Sequence, residues 1–397
     1  MSHNVYIVEM YDKHTTGFTT YKQELLRCLK NTGAVISHVI SLRCPTTEFD
    51  VTSDEDIVSY LCPGKRNDVT EVSCALLALH IENRKDNIFL FNFSPAAQWL
   101  KAFRKYFSRG KIVYVIHDFM WALFLLGDVS KFYSIINSKS IDTQSIFINK
   151  IFQDGKETFC IADKIVCLSD DTCNLLQKAY GVSINRIVKI YNGLHDYADG
   201  SIKRHNIKVL GKKDKSKTLL YVGRISVQKG AIDLINCFST VVKHFPNAIL
   251  VMAGEFDSNL LQIINDDIRE NLILLGEVSH EKLCQWYQVA DWGVVPSYYE
   301  QCSYTGIEMK MFGLPVISSN GIGVRNMFNS QNSIIADIGN FNTCEYQCNL
   351  ADAIIKALSM SSLQVANLSL LSKKDFKERY NMSNMTKGYC NLWKEIL

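Results

Sequence analysis

The sequence predicts an α/β protein made of two doubly wound domains. Short apolar, β-branched runs alternate with longer amphipathic segments, the pattern of parallel strands joined by helices. One lysine-rich polar stretch, Ile202–Lys217, interrupts that alternation, which then begins again. At 397 residues, 47% hydrophobic and 21% charged, the chain is long enough for two or three domains with cores of their own.

In the first half the expected strands are Asn4–Glu9, Ala34–Leu42, Ile88–Asn92, Ile112–Ile116, Lys164–Leu168 and Ile187–Ile190, with a helix over Thr19–Lys30. After the polar stretch come a strand at Thr218–Gly223, a helix at Gly230–Phe245 and strands at Ala248–Ala253 and Leu272–Leu275. A helix at His280–Val289, a strand at Trp292–Pro296, a helix at Tyr304–Phe312 and a strand at Pro315–Ser318 follow. The tail from Lys374 reads as helical, with aromatics at Phe376, Tyr380, Tyr389 and Trp393. The expected division is 1–195 and 196–373, with 374–397 as a helix returning to the first domain. In such sheets a ligand is expected at the carboxyl ends of the strands.

Composition narrows the function classes. A net charge of +3 gives no global field for nucleic acid. Thirteen cysteines, odd in number and without paired C-x-x-C spacing, read as buried thiols in a reducing compartment. Met1 to Tyr11 enters a strand-like run with no leader pattern, and the most apolar stretch, Met120–Gly127, is too short to span a bilayer. The expected location is cytoplasmic. Asp54-Glu55-Asp56 has the acidic spacing of metal-dependent sugar transferases, but with no strand before it reads as a solvated loop; no metal site is expected.

Four pieces of the second half fall where strands end. In Y-V-G-R-I-S-V-Q-K-G (221–230), Arg224 and Lys229 flank a helix start, an arrangement suited to a diphosphate. In S-Y-Y-E-Q-C-S-Y-T-G-I-E (297–308), Glu300 lies in a loop and Glu308 about one turn into the next helix, where its carboxylate can accept hydrogen bonds from vicinal hydroxyls. Ser303, Tyr304 and Thr305 would offer backbone N–H groups to a phosphate or sugar hydroxyl. A-G-E at Ala253–Glu255 and L-G-E-V at Leu275–Val278 end strands in glycine, allowing close approach of a ligand or simply making tight turns.

Together these pieces resemble the retaining glycosyltransferases of family 4, over 218–328 above all. The most specific part is E-Q-C-S-Y-T-G-I-E-M-K-M-F-G-L-P-V-I-S-S, with seven residues between its two glutamates. The E-Q-C-S-Y form resembles that of a bacterial subgroup. The resemblance implies the GT-B fold, two Rossmann-like domains facing a central cleft, and transfer of a sugar from a nucleotide donor, UDP or GDP sugar, without a cofactor or metal. It implies that Arg224 and Lys229 bind the diphosphate, Glu308 the ribose and Val278 the base, with Glu300 at the transferred sugar; Gly254, in the strand-ending A-G-E turn, is a further candidate for donor contact. Ser303 departs from the family, which often has glycine there.

In the first half, Gly17, after Lys13–Thr16, matches the family's glycine-rich loop only in having one glycine; a phosphate-approach loop and a simple turn both fit. His117, at the end of V-Y-V-I-H-D, matches a histidine placed against the donor sugar. The basic, aromatic segment Trp99–Lys111 has two readings, a helix resting weakly on anionic lipid or a solvated helix packed through Trp99, Phe103 and Phe107. The acceptor can be a carbohydrate, a lipid-linked saccharide or a peptide. Two rival functions remain open, a nucleotide-sugar epimerase and a non-catalytic glycosyltransferase-like subunit.

Overall fold

A computed structural model describes residues 3–12, 17–30, 35–54, 57–64, 69–138, 142–198, 216–257 and 264–396. It divides into two compact units. The first holds Met1–Leu125, Val129–Gly193 and Met382–Leu397; the second holds Leu126–Asp128 and Leu194–Asn381. Lys13–Thr16, Glu55, Asp56 and most of the lysine-rich stretch (199–215) lie outside the described residues.

The first unit is built on eight strands: β1 (His3–Met10), β2 (Val35–Cys44), β3 (Asp50–Asp54), β4 (Ile57–Pro63), β5 (Asn87–Phe91), β6 (Lys111–Val115), β7 (Lys164–Cys167) and β8 (Ile187–Lys189). Their order is β3-β4-β2-β1-β5-β6-β7-β8, and every pair is parallel except β3 with β4. Strands covered on both faces read as unbroken apolar runs rather than alternations, and β5, N-I-F-L-F, is buried throughout. The order reverses between β1 and β5, which makes their carboxyl ends a switch point.

The β3–β4 hairpin corrects one expectation. Asp54 ends a strand instead of opening a solvated loop, although every residue of β3 is exposed. An edge strand of this kind has no buried face, so its sequence, D-V-T-S-D, carries no apolar pattern.

Trp99, Phe103 and Phe107 are buried on the helix Ala97–Tyr106 and its exit. Phe103 meets Phe89 and Phe91 edge-on, with ring centres 5.3 and 4.9 Å apart. Three of the segment's bases are neutralised: Lys101 by Glu157 at 2.5 Å, Arg104 by Asp163 at 2.7 Å and Lys105 by Glu71 at 3.0 Å. This is a helix packed through its aromatics, with three of the segment's five basic side chains in ion pairs. Among the described residues no single helix is long and apolar enough to cross a membrane.

The tail is not one helix. Ser362–Asp375 runs into a π-turn, Phe376–Tyr380, and Asn381 is extended before the helix Met382–Ile396. The break has a partner: Leu194 pairs with Asn381, its N–H donating to the Tyr380 carbonyl at 2.9 Å. The chain therefore enters and leaves the second unit through adjoining backbone. Past the break, the Tyr389 hydroxyl bonds that of Tyr21 on the helix Gly17–Lys30.

The second unit has six parallel strands, β9 (Thr218–Val222), β10 (Ile249–Ala253), β11 (Leu272–Gly276), β12 (Trp292–Val295), β13 (Val316–Ser319) and β14 (Ser333–Ala336), ordered β11-β10-β9-β12-β13-β14. Leu219, Tyr221, Leu250, Met252, Trp292 and Val294 form its core with Leu234 and Phe238 of the helix Ala231–His244 and Leu350 and Ile354 of the helix Thr343–Leu358. Here the order reverses between β9 and β12. None of the thirteen cysteines forms a disulfide; Cys160, Cys344 and Cys348 are exposed, Cys173 and Cys390 half-buried, and the rest buried.

Candidate active site

The loops leaving β9 and β12, at the switch point of the second sheet, bring Lys229 and Glu300 together. The Lys229 ammonium lies 2.6 Å from Glu300 Oε1, and Ser297 Oγ donates to the same oxygen at 3.1 Å. Glycine makes this approach feasible. Gly230, at φ 64°, would carry a Cβ 2.0 Å from the Pro296 carbonyl oxygen, so no side chain fits between the two loops. The Tyr298 N–H then donates to the Gln228 carbonyl at 3.1 Å.

The Glu300 loop is pinned from several sides. Tyr346 donates its hydroxyl to the Pro296 carbonyl at 2.6 Å, and Tyr298 donates to Asp233 at 3.0 Å, a buried carboxylate that also accepts from Gln347 at 2.9 Å. Arg224 is exposed, its backbone fixed by the Tyr221 hydroxyl donating to its carbonyl at 2.7 Å. Gly254, at φ 144° after β10, would carry a Cβ 2.0 Å from the Gly223 carbonyl oxygen. Glycine there is required by the packing of the two strand ends on one another.

The second cluster surrounds Glu308. The helix Tyr304–Phe312 is capped by Ser303, whose hydroxyl accepts the Gly306 N–H at 3.2 Å. The Ser303 N–H itself is turned to Met327 Sδ at 3.2 Å, so it does not point outward from the helix start as the sequence led us to expect. Of the three N–H groups expected there, only those of Tyr304 and Thr305 stay in the first turn. Serine at 303 occupies an ordinary extended conformation, φ −66° and ψ 120°, and serves as a cap, so no glycine is needed.

Glu308 is 8% exposed and sits one turn in, where the helix dipole helps it less. Its carboxylate is held instead by side chains. The Tyr197 hydroxyl donates to Oε1 at 2.7 Å, the Tyr287 hydroxyl to Oε2 at 2.7 Å, and His280 Nε2 lies 3.3 Å from Oε1. None of these three was singled out from the sequence. A trace was present, since His280, Cys284 and Tyr287 recur at i, i+4 and i+7 on one helix and so share a face. Tyr197 left no local signal at all.

Cys284 and the Glu308 carboxylate outweigh burial and push the His280 imidazole up to about 10, so at neutral pH it is an imidazolium. A raised folded-state pKa stabilises the fold fully below the ordinary histidine value, and that contribution is lost as pH rises through 10. The stability difference between the wild type and His280→Gln is therefore expected to be largest near pH 6 and to shrink towards pH 10. Urea titrations at a series of pH values measure it; a difference constant with pH would contradict the imidazolium. The imidazole side chain is 59% exposed, so solvent screening keeps the effect small.

Val278 is half-buried in the loop between β11 and the helix His280–Val289, two residues before the histidine that touches Glu308. In the first unit, Gly17 opens the helix Gly17–Lys30. A Cβ at Gly17 would meet nothing within 4 Å, so no described neighbour calls for glycine. His117 follows β6, with Tyr21 of that same helix edge-on to its ring at 4.3 Å. Burial pushes its pKa down to about 3, so the imidazole is neutral. The structure thus gathers Lys229 with Glu300, links Glu308 to the Val278 loop through His280, and places His117 against the helix that Gly17 opens. Among the described residues no three His, Cys, Asp or Glu side chains are grouped to hold a metal ion.

Residues 202–368 match the family model of glycosyl transferases group 1. An uncharacterized glycosyltransferase of Methanocaldococcus jannaschii is 26% identical over 238 residues, 57% of each chain. The alpha-monoglucosyldiacylglycerol synthase of Streptococcus pneumoniae is 27% identical over 177 residues, 43% of this chain and 40% of that one. The chain thus spans about half the length, or less, of the curated relatives it matches.

Two solved structures are similar over 99% of both chains. Sucrose-phosphate synthase from Thermosynechococcus elongatus superposes with a TM-score of 0.74 at 16% identity. HepE from Anabaena, solved in complex with UDP and glucose, does so with 0.72 at 12%. At these identities the likeness is one of fold, and that fold is GT-B.

Proposed function

We propose that this chain transfers a sugar from a nucleoside diphosphate donor, UDP or GDP sugar, to an acceptor with retention of anomeric configuration. The observation that carries the reading is the Lys229–Glu300 contact at the switch point of the second sheet, 2.6 Å across, beside the helix start at Ala231. Breaking the anomeric C–O bond separates an oxocarbenium-like sugar from a diphosphate. Fixed cations and N–H groups that stabilise the leaving anion lower that barrier without any need to reorganise.

In this reading Lys229 and Arg224 hold the diphosphate, with the Tyr304 and Thr305 N–H groups available to phosphate or sugar oxygen. Glu308 accepts the ribose hydroxyls, and the Val278 loop meets the base. Glu300 lies on the sugar side of Lys229, and the neutral imidazole of His117 suits a hydrogen bond to a sugar hydroxyl. No metal or cofactor is assigned to the reaction. The cations and both glutamates that a non-catalytic subunit would be free to lose are all present. The free thiols suit a cytoplasmic setting.

The test is turnover. The protein is incubated with UDP-, GDP- and ADP-sugars and with oligosaccharide, lipid-linked saccharide or peptide acceptors, and nucleotide release and product linkage are measured. One nucleotide should be released in step with a glycosylated product of the donor's anomeric configuration. Interconverted donor with no second molecule glycosylated would instead indicate an epimerase, and binding without turnover a non-catalytic subunit.

A further inference from the structure

We propose that Tyr197 competes with the donor ribose for Glu308 and thereby sets how strongly the site distinguishes a ribose from a deoxyribose. The inference rests on the assignment of Glu308 to the ribose and extends it to a residue that the donor motif does not contain.

The hydrogen-bonding capacity of Glu308 is nearly filled. A carboxylate offers about four lone-pair positions, two on each oxygen. Oε1 of Glu308 already receives the Tyr197 hydroxyl at 2.7 Å and faces His280 Nε2 at 3.3 Å, while Oε2 receives only Tyr287 at 2.7 Å. A vicinal diol brings two donors. One can take the remaining position on Oε2; the second needs Oε1, which is full. A ribose that engages both oxygens must therefore displace one of the two groups on Oε1.

Tyr197 is the group whose departure costs less. It exchanges one neutral O–H for another on the same oxygen, whereas removing His280 would break a contact between opposite charges. Tyr197 also lies in irregular backbone, while His280 opens a helix capped by Ser279. Tyr287 is 2% exposed, stacks on Phe312 with ring centres 5.4 Å apart, and keeps the carboxylate in place when Tyr197 leaves. The Tyr197 ring packs edge-on against His280 at 4.8 Å, so removing the hydroxyl alone preserves its packing.

A ribose thus gains two hydrogen bonds and forfeits one, whereas a 2′-deoxyribose gains one and forfeits none. Tyr197 evens out the two sugars. The test is calorimetric titration of the whole chain with UDP and GDP, each beside its 2′-deoxy form, in wild type, Tyr197→Phe, Glu308→Gln and the double variant. Tyr197→Phe should bind the ribonucleotide about tenfold more tightly, one hydrogen bond to a charged group, with the deoxynucleotide unchanged. In the Glu308→Gln background that gain should vanish. Ribonucleotide affinity unchanged or weaker in Tyr197→Phe, or an equal gain for both nucleotides, overturns the proposal and leaves the donor site standing. Full ribonucleotide affinity in Glu308→Gln would instead overturn the ribose assignment itself.

Discussion

Lys229→Ala should abolish transfer and weaken UDP or GDP binding about a hundredfold. A charge-assisted hydrogen bond to phosphate is worth about 1.5–3 kcal/mol, or roughly ten- to a hundredfold. Lys229 does more than supply one such bond, because it also neutralises Glu300 at 2.6 Å. With the ammonium gone, an ionised carboxylate held by Ser297 and a pinned loop faces the incoming diphosphate, and like charges repel. The expected signature is therefore non-additive. Glu300→Gln added to Lys229→Ala should recover part of the lost nucleotide affinity while transfer stays absent. Arg224→Ala, an exposed cation without that second duty, should cost less affinity, about tenfold. Calorimetry on the three variants checks the pattern. A double variant that binds no better than Lys229→Ala would show that Glu300 does not repel the diphosphate, and the two residues would then need separate roles.

Lys310→Ala should destabilise the second unit by about 3 kcal/mol, the cost of leaving one member of a buried pair alone. Lys310 lies two residues beyond Glu308 on the same helix and is fully buried. Its ammonium is 2.7 Å from Asp375 Oδ2, an ion pair without well-aligned hydrogen-bond geometry, and 4.6 Å from the centre of the Phe328 ring. Burial lowers its pKa and Asp375 opposes that shift. Arg379, 3.3 Å from Asp375 Oδ1, keeps the carboxylate from being wholly stranded, which holds the loss at the lower end of what such pairs show. Lys310→Met retains most of the volume and should lose less. Urea unfolding monitored by circular dichroism decides: an alanine variant within 0.5 kcal/mol of wild type would mean the pair adds little.

Much of this fold is legible in the chain because its central strands are covered on both faces. Val251 and Met252 in β10, or Leu90 and Phe91 in β5, sit in apolar runs whose ends fall within a residue or two of the observed strands. Not every strand was legible. The β3 strand is polar and exposed, and β14, S-I-I-A, is too short to rise above its surroundings. The break at Asn381 is set by pairing with Leu194, a contact across nearly half the chain. The candidate site divides in the same way. Arg224, Lys229, Glu300 and Glu308 stand in local motifs at strand ends, where spacing carries information. Tyr197 and Tyr287 reach Glu308 from 111 and 21 residues away, and no local pattern records such a meeting. Nor did the motif foretell that Lys229 and Glu300, assigned to phosphate and sugar, would touch each other.

The role proposed for the loops after β9 and β12 is to bind a diphosphate through Lys229 and Arg224. The most direct measurement is a crystal structure of the wild-type chain with UDP or GDP bound. β-Phosphate oxygens are expected within hydrogen-bonding distance of the Lys229 ammonium and the Arg224 guanidinium, with the ribose on Glu308. A diphosphate bound elsewhere, with Lys229 still paired only to Glu300, would contradict it.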